Sequence, residues 1–407
     1  MSKDFDIIIV GGGLAGASLA CALGGSELRV AVIEAAPFGA PAQPTGDDRT
    51  VALNYGSRRI FAALGLWERI AALGACPIER IHISDRGRFG FTRLDAASMG
   101  VEALGYVVET RVLGEALQQA LQAHKNIRLI APARLQQLAI TEESVTVTLN
   151  AESGAGPLTA RLVVGADGVH SAVRAAAGIT AQTTDYAQTA IVTAVTPSLP
   201  HGFTAYERFT PSGPLALLPK TNNRMAVVWS AHSSDASGLM AMSDAEFLQG
   251  LQARFGNRLG HLTQLGKRQA HPLALTHAAE HVRPRLALVG NAAHTVHPVA
   301  GQGFNLGLRD VAALAELLVK TARAGGDIGA PSVLNEFSAW RQPDDRAVMR
   351  FTHGLVGIFS NEFTPLALSR GLGLVLVDLA PPLKRALLRR TMGLSGRLPR
   401  LARGLSI

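Results

Sequence analysis

The sequence predicts an α/β fold in which a parallel βαβ sheet is interrupted by an inserted antiparallel sheet and followed by a helical C-terminal segment. Three observations predict it. An apolar run, Phe5 to Val10, ends in glycines and leads through a small-residue helix, Ala15 to Leu23, into a second apolar run, Leu28 to Ile33. That order makes two parallel strands joined by a crossover helix. From Ala187 to Ser230 the texture changes to short β-rich segments separated by Pro, Gly and Asn turns at Pro211 to Pro214 and Thr221 to Asn223, as in an antiparallel sheet. Beyond Pro343 the chain reads as mostly helical.

The remaining elements fall between these. Arg134 to Ile140, Ser144 to Asn150 and Leu158 to Val164 read as a meander feeding a buried strand. Arg285 to Gly290 is another buried strand, followed by a loop and a long helix from about Gly303 to Ala324. The expected organisation assigns residues 1–80, 105–180 and 281–345 to the domain built on the parallel sheet. Residues 81–104 and 181–280 form the inserted substrate domain, and 346–407 the helical end with a basic tail.

Composition bounds what such a chain can be. With 407 residues, 47% of them hydrophobic, it has material for two or three folded units. Only 17% are charged, below the roughly 25% of an ordinary soluble domain, which points to extensive burial or a surface that meets something apolar. Two cysteines, Cys21 and Cys76, exclude a disulfide framework and any iron–sulfur or thiolate–zinc site, and fit a reducing compartment. The start, MSKDFDIIIV, lacks the charged-then-apolar pattern of a secretory signal. No stretch reaches the roughly 18 apolar residues of a membrane-spanning helix; the nearest, Gly371 to Leu383, is cut by Asp378 and by Pro381 and Pro382. The expectation is a cytoplasmic protein.

The net charge of +8 is a C-terminal property. After Asp378 there are seven basic residues and no acids, leaving 32 basic against 31 acidic residues in the rest of the chain. Leu383, Leu387, Leu388, Leu394, Leu398 and Leu401 recur among these cations at roughly helical spacing. Two readings stay open: an amphipathic segment lying peripherally on an anionic inner-membrane surface, and a solvated basic helix packed on the protein. Nucleic acid is not expected, because no aromatic residue interleaves with these arginines to stack bases.

The chemistry begins with Gly11-x-Gly13-x-x-Gly16, which follows a strand and opens a helix, with Glu34 ending the next strand. This is the full context of the dinucleotide fingerprint of a Rossmann-type domain. Gly11 permits the tight turn, Gly13 lets the backbone approach a pyrophosphate, and Gly16 lets helix and strand pack closely. Leu14 and Ala15 belong to the helix N-terminus, whose free N–H groups face the phosphates. Glu34 would accept hydrogen bonds from the ribose hydroxyls and would repel a 2′-phosphate. Further on, Pro298 followed by Gly301, Gln302 and Gly303 at a helix start makes a second pre-set turn with free N–H groups.

Two later runs decide which dinucleotide. Val163 to Arg174, with Asp167 inside VVGADGVHSAVR, and Leu288 to Asp310, LVGNAAHTVHPVAGQGFNLGLRD, resemble the other two signatures of the class A flavoprotein monooxygenases. The resemblance implies a p-hydroxybenzoate hydroxylase-like fold with FAD as cofactor, NAD(P)H as a transient reductant and O2 as co-substrate. It implies that Asp167 serves both nucleotides, and that Gly290 to Asn305 wraps the ribityl chain and flavin ring. The helix start at Gly303 would then stabilise negative charge on the reduced flavin. Arg49 and Arg111 match positions where the family places cofactor-contacting arginines. The wider class carries Asp where this chain has Asn291; Asn keeps a hydrogen bond to a ribityl hydroxyl and removes a charge, and is an accepted form in the ubiquinone-biosynthesis branch.

His82 to Phe91, Leu104 to Glu109, Asp48 to Phe61 and Gly301 to Asp310 are similar to that branch, nearest the 2-polyprenyl-6-methoxyphenol hydroxylases. The resemblance implies hydroxylation of a polyprenylated phenol through a flavin C4a-hydroperoxide, alongside other ubiquinone-pathway enzymes. Two alternatives stay open: a hydroxylase of a small soluble phenol or benzoate, and a non-catalytic flavoprotein scaffold. For the phenol-activating residue the candidates are His297, beside the flavin turn, and Tyr206, on the antiparallel sheet, with Tyr55 a weaker third. No metal is expected: the H-x-x-E-H run His277 to His281 lacks a third ligand and reads, with His271, as loop or surface. Nothing in the sequence sets an oligomeric state.

Overall fold

The computed structural model describes residues 3–37, 49–150, 154–359 and 364–407. Asp47 and Asp48, part of the run that carries Arg49, lie outside them. The parallel sheet runs in the order Val282–Arg283, Leu286–Leu288, Leu162–Gly165, Ile7–Val10, Val30–Ile33 and Ile127–Ile130, parallel except for its first strand. Its three central strands are buried at every position, which is why they read as unbroken apolar runs. Helix Leu14–Leu23 crosses over one face and packs against Gln302–Arg323, and their apolar faces share the largest core cluster.

Leu158 to Val164 is not one strand, as its apolar run suggests. Leu158–Ala160 closes a small antiparallel meander with Val145–Leu149, and Leu162–Gly165 joins the parallel sheet beside Ile7–Val10. The switch falls at Arg161, where the burial pattern changes from alternating to continuous. Hydropathy alone does not mark it.

The large antiparallel sheet orders His294–Thr295, Gln269–Ala278, Ala181–Pro197, Met225–His232, Gly213–Pro219, Thr204–Thr210, Arg80–Asp85 and Phe91–Asp95. One pair, Thr204–Thr210 with Arg80–Asp85, is parallel. Helices Ser233–Ala241 and Asp244–Phe255 flank the sheet, and Leu239, Phe247, Leu251 and Phe255 cluster with Ile191, Leu215, Leu217, Val227 and Trp229 on one face. The other face looks toward the parallel-sheet unit. Ala181–Pro197 is 17 residues long with an irregularity between Asp185 and Gln188, and it reaches from the neighbourhood of the parallel sheet into the insert.

At the C-terminal end, helix Pro331–Phe359 runs through Pro343 instead of starting after it. Proline removes one backbone donor, but Phe337, Trp340 and Arg341 on the same turns are buried and hold the helix in place. Thr364–Leu379 and Pro381–Thr391 follow. Of the two readings of the basic tail, the packing favours the one in which it lies on the protein. Leu388 and Met392 sit in a cluster with Leu94 and Leu104, with Leu387 and Leu394 against it. Leu398 and Leu401 reach the main core, Trp340 Nε1 donates to the Arg397 carbonyl at 2.8 Å, and the Arg397 guanidinium lies 4.0 Å over the Trp340 ring. Of the tail leucines only Leu383 stands well out. No helix among the described residues is long and apolar enough to cross a membrane.

Candidate flavin site

The fingerprint turn has the geometry its glycines require. Gly11 adopts φ +104°, and a Cβ there would meet the Ala166 carbonyl oxygen at 2.5 Å. A Cβ on Gly16 would stand 1.9 Å from the Gly11 carbonyl oxygen, so its absence is what lets the helix sit against the turn. Gly13 is different: a Cβ there would meet nothing within 4 Å. That empty space is where a pyrophosphate would approach the N-terminus of Leu14–Leu23. Glu34 accepts from the Gly12 N–H at 2.7 Å and the Ala36 N–H at 2.9 Å, so its carboxylate is held at the cleft edge with lone pairs to spare.

These residues open onto a cleft of about 960 Å³. Gly11, Gly13, Leu14, Ala15, Glu34, Asp167, Gly290, Asn291, Pro298, Gly301 and Gly303 all line it, and Gly290 comes close to Ala15. Asp167 accepts from the Val173 N–H at 3.1 Å through one oxygen, and its other oxygen is buried with no hydrogen-bond partner. A buried carboxylate oxygen left open beside a cleft is a seat for a ligand hydroxyl. Arg174 ties this loop to the far wall, donating to the Ala292 and Val169 carbonyls at 2.8 and 2.6 Å. The turn before Gln302–Arg323 puts Gly301 at φ +59°, where a Cβ would meet Ala52 at 2.9 Å. Volume, glycine cradle and the unpartnered Asp167 oxygen together fit a bound flavin dinucleotide.

Five sequence-predicted residues do not line this cleft. Gly16 acts behind it, as packing. Asn305 is spent on structure: it accepts from the Asn54 N–H at 2.9 Å and donates to the Ala52 and Gly301 carbonyls at 2.7 and 2.6 Å, fixing the flavin turn to strand Thr50–Asn54. Gln302 is buried and turned toward Thr391 of the C-terminal helix. Arg111 is half-exposed and paired with Glu109 at 3.1 Å and Glu115 at 3.9 Å. Arg49 precedes the cleft-lining Thr50 without joining the lining itself. Gly307, not singled out from the sequence, does line it; a Cβ there would meet the Gly290 Cα at 2.8 Å, so strand end and helix touch through two glycines. Its i+4 spacing from Gly303 was the available signal.

The candidates for phenol activation fare differently. His297 is fully buried and satisfied: Val299 N–H donates to its Nδ1 at 3.3 Å, so Nε2 carries the proton and donates to Gln188 Oε1 at 3.1 Å. Burial pushes its pKa down to about 4, which keeps it neutral. It is a brace between the large sheet and the flavin turn. Tyr206 points to the opposite face of the sheet from that turn, its ring edge-on to Phe255 at 5.3 Å. Tyr55 packs with the Leu94 and Leu388 cluster. The H-x-x-E-H run is not the loop or surface segment that its sequence suggests. His277 sits half-buried in Gln269–Ala278 opposite His294, and His281 is half-buried with Nδ1 3.5 Å from Asp345. Ala279, Glu280, paired with Arg283 at 3.0 Å, and His271 are exposed.

Beneath the site lies a buried charge network. His294 Nε2 is 2.6 Å from Asp310, whose other oxygen accepts from Arg341 at 2.7 Å, and Arg341 also reaches Asp344 at 2.7 Å and Asp345 at 3.4 Å. His294, Asp310 and Asp345 bring ligand atoms within 4.8 Å of one another, but both Asp310 oxygens are already taken by His294 and Arg341. The network fastens Gln302–Arg323 to Pro331–Phe359.

The fold and cleft define a protein that binds a flavin dinucleotide, and comparison with known proteins places it among the FAD-dependent monooxygenases. A family model described as an FAD binding domain matches residues 4–352. Over the whole chain the protein is 42% identical to the ubiquinone hydroxylase UbiL of Rhodospirillum rubrum, covering 94% of that protein. It is 37% identical to the 3-demethoxyubiquinol 3-hydroxylase of Escherichia coli over 96% of this chain and 98% of that one. With the human mitochondrial ubiquinone biosynthesis monooxygenase it shares 31% identity over 94% and 92% of the two chains. Among solved structures, p-nitrophenol 4-monooxygenase of Pseudomonas putida superposes with a TM-score of 0.80 at 21% identity, covering 98% of this chain and all of that one. The chain belongs to the FAD binding domain family, and within it to the ubiquinone-biosynthesis hydroxylases, FAD-dependent monooxygenases of p-hydroxybenzoate hydroxylase-like fold.

Proposed function

We propose that this enzyme adds a hydroxyl group to the ring of a polyprenylated phenol in ubiquinone biosynthesis. The observation that carries the reading is the match to ubiquinone hydroxylases along the entire chain. When bound, FAD reduced by NAD(P)H supplies the activated oxygen from O2. The protein's own residues hold the cofactor, present the ring to it and exclude water. The sheet face that meets the flavin turn supports a largely apolar substrate: Val192, Val228, Ala216, Glu207 and Ile83 form a half-buried row there, apolar but for Glu207 and with no Lys or Arg in it to receive a benzoate carboxylate. Mass spectrometry of the quinone fraction from cells lacking the gene tests this. The expected result is a polyprenylated phenol one hydroxylation short of ubiquinone, cleared when the gene is restored. An unchanged quinone pool in a strain without a second such hydroxylase would refute it.

We also propose that the enzyme works at an anionic membrane surface, through a face that takes only Leu383 from the tail leucines. Leu372, Leu376 and Leu379 recur along Thr364–Leu379 and are 55%, 60% and 74% exposed. Leu383 and the exposed Phe89 and Phe91 adjoin them, since Phe89 touches Gly371 and Thr92 donates to the Leu374 carbonyl. Exposed Arg88, Arg93, Arg385 and Arg389 flank the same elements. An apolar patch rimmed by cations matches an anionic lipid headgroup layer.

A further inference from the structure

Strand Thr204–Thr210 alternates. Tyr206 faces the cluster that holds Phe255, while Phe209 packs with Val299 of the flavin turn and with Ile83. Glu207 shares the face of Phe209, and Ile83 is its direct neighbour in the parallel pair. The row across the sheet at that level reads Val192, Val228, Ala216, Glu207, Ile83, and all five are half-buried. Residues embedded in the middle of a sheet yet still partly accessible border space. Glu207 is the sole ionisable member of this row. Its carboxylate has no hydrogen-bond or ion-pair partner among the described residues, unlike the buried acids Asp85, which pairs with Arg370, and Asp310 and Asp345, which pair with Arg341. The sheet is pinned to the flavin turn at two points close by, Phe209 on Val299 and Gln188 on His297. At the rise of a strand, Glu207 stands about 7 Å along from Phe209.

We propose that Glu207 is the catalytic residue that receives the ring hydroxyl of the phenol substrate, taking its proton as the ring is attacked. This assignment rests on the phenol-hydroxylase reading above and deepens it. A phenol loses its proton near pH 10 in water, and its ring is a far better nucleophile once that proton is withdrawn. In the step, the phenolic O–H bond breaks and a Glu207 Oε–H bond forms; the oxygen's electron pair is released into the ring. The proton leaves to water when the site reopens. Burial pushes the Glu207 pKa up to about 7, which suits an acceptor that must take and release a proton near neutrality. An unpaired carboxylate among apolar side chains is otherwise a cost without a return. The same charge disfavours a benzoate.

The test uses the purified holoenzyme with 2-farnesyl-6-methoxyphenol as probe, comparing wild type with Glu207→Gln and Glu207→Leu. Flavin content should match wild type in both, since neither substitution touches the cofactor cleft, and the melting temperature should be no lower, since each removes an unpaired carboxylate from apolar surroundings. Glu207→Gln should lower product formation at pH 7 by about 10² to 10⁴-fold and abolish the activity step near pH 7. Its rate should climb steeply toward pH 10, where the phenol ionises unaided. Glu207→Leu should do no better at neutral pH. If wild type hydroxylates the probe and Glu207→Gln keeps its rate and pH profile, the Glu207 assignment falls and the substrate reading stands. If wild type oxidises NAD(P)H without converting the probe, the substrate reading falls and takes the assignment with it.

Discussion

Replacing Gly13 by valine separates folding from cofactor binding, because the structure puts empty space where the new side chain would go. Gly13 has φ −65° and ψ −175°, a conformation open to any residue, and a Cβ there meets nothing within 4 Å. The apoprotein should therefore keep its stability to within about 0.5 kcal/mol. The cofactor should be lost, since the branched side chain stands where the pyrophosphate meets the helix N-terminus. Forfeiting two charge-assisted hydrogen bonds of about 1.5–3 kcal/mol each removes about 3–6 kcal/mol of binding. That is about 10² to 10⁴-fold in Kd. Differential scanning fluorimetry of the apoprotein with and without added FAD reads both quantities. Wild type should gain thermal stability with FAD by mass action, while Gly13→Val should melt with the wild-type apoprotein and ignore FAD. Gly16→Ala is the contrast, because its Cβ would lie 1.9 Å from the Gly11 carbonyl oxygen and should destabilise the apoprotein itself. A Gly13→Val protein that purifies yellow with a full complement of flavin would refute the reasoning.

Three further outcomes are expected. Arg341→Leu removes the cation shared by Asp310, Asp344 and Asp345 and should cost about 3–5 kcal/mol in urea unfolding, whereas a loss under about 1 kcal/mol would show that the network carries little. Burial and the nearby Asp310 raise the Asp345 pKa to about 7; burial opposes charge on His294 but Asp310 raises it overall. Both groups hold protons more tightly when folded, so stability should fall as pH rises, for Asp345 from about 4 up to about 7 and for His294 from about 6.5 upward through its folded value. Chemical denaturation across pH should show that decline and a shallower one in Asp345→Asn; an equal slope in the variant would count against it. Leu376→Glu with Leu379→Glu should weaken sedimentation with phosphatidylglycerol-containing vesicles by about 100-fold, from about 3 kcal/mol of lost apolar burial, and unchanged sedimentation would remove the patch from the account.

The flavin end of the protein was legible in the sequence because its signals are local. A tight turn needs Gly11, a close helix needs Gly16, and a phosphate needs the bare backbone at Gly13, all within one βα unit. Tertiary structure decided what local spacing cannot carry. Leu158 to Val164 belongs to two sheets because its partners come from Val145–Leu149 and Ile7–Val10. Asn305 and Gln302 sit in a cofactor motif yet spend their side chains holding the turn, since Thr50–Asn54 and the C-terminal helix pack there. The H-x-x-E-H histidines are drawn inward by Asp345, on helix Pro331–Phe359, and by His294, on the short strand paired with Gln269–Ala278.

The same division runs through the substrate side. The sequence by itself determined that an antiparallel sheet carries the strand Tyr206-Glu207, because alternation and turns are written in short range. It could not determine which of the two faces the flavin. On a strand, a shift of one residue exchanges inside for outside, and only the packing of Phe209 on Val299 shows that Glu207 takes the inner place and Tyr206 the outer. In the tail, spacing displayed an amphipathic row, but an amphipathic row fits lipid and protein equally well. The core that Leu388, Met392 and Leu401 complete is built by residues three hundred positions earlier in the chain. A helix's apolar face acquires its meaning from what lies against it, and that is a property of the folded chain.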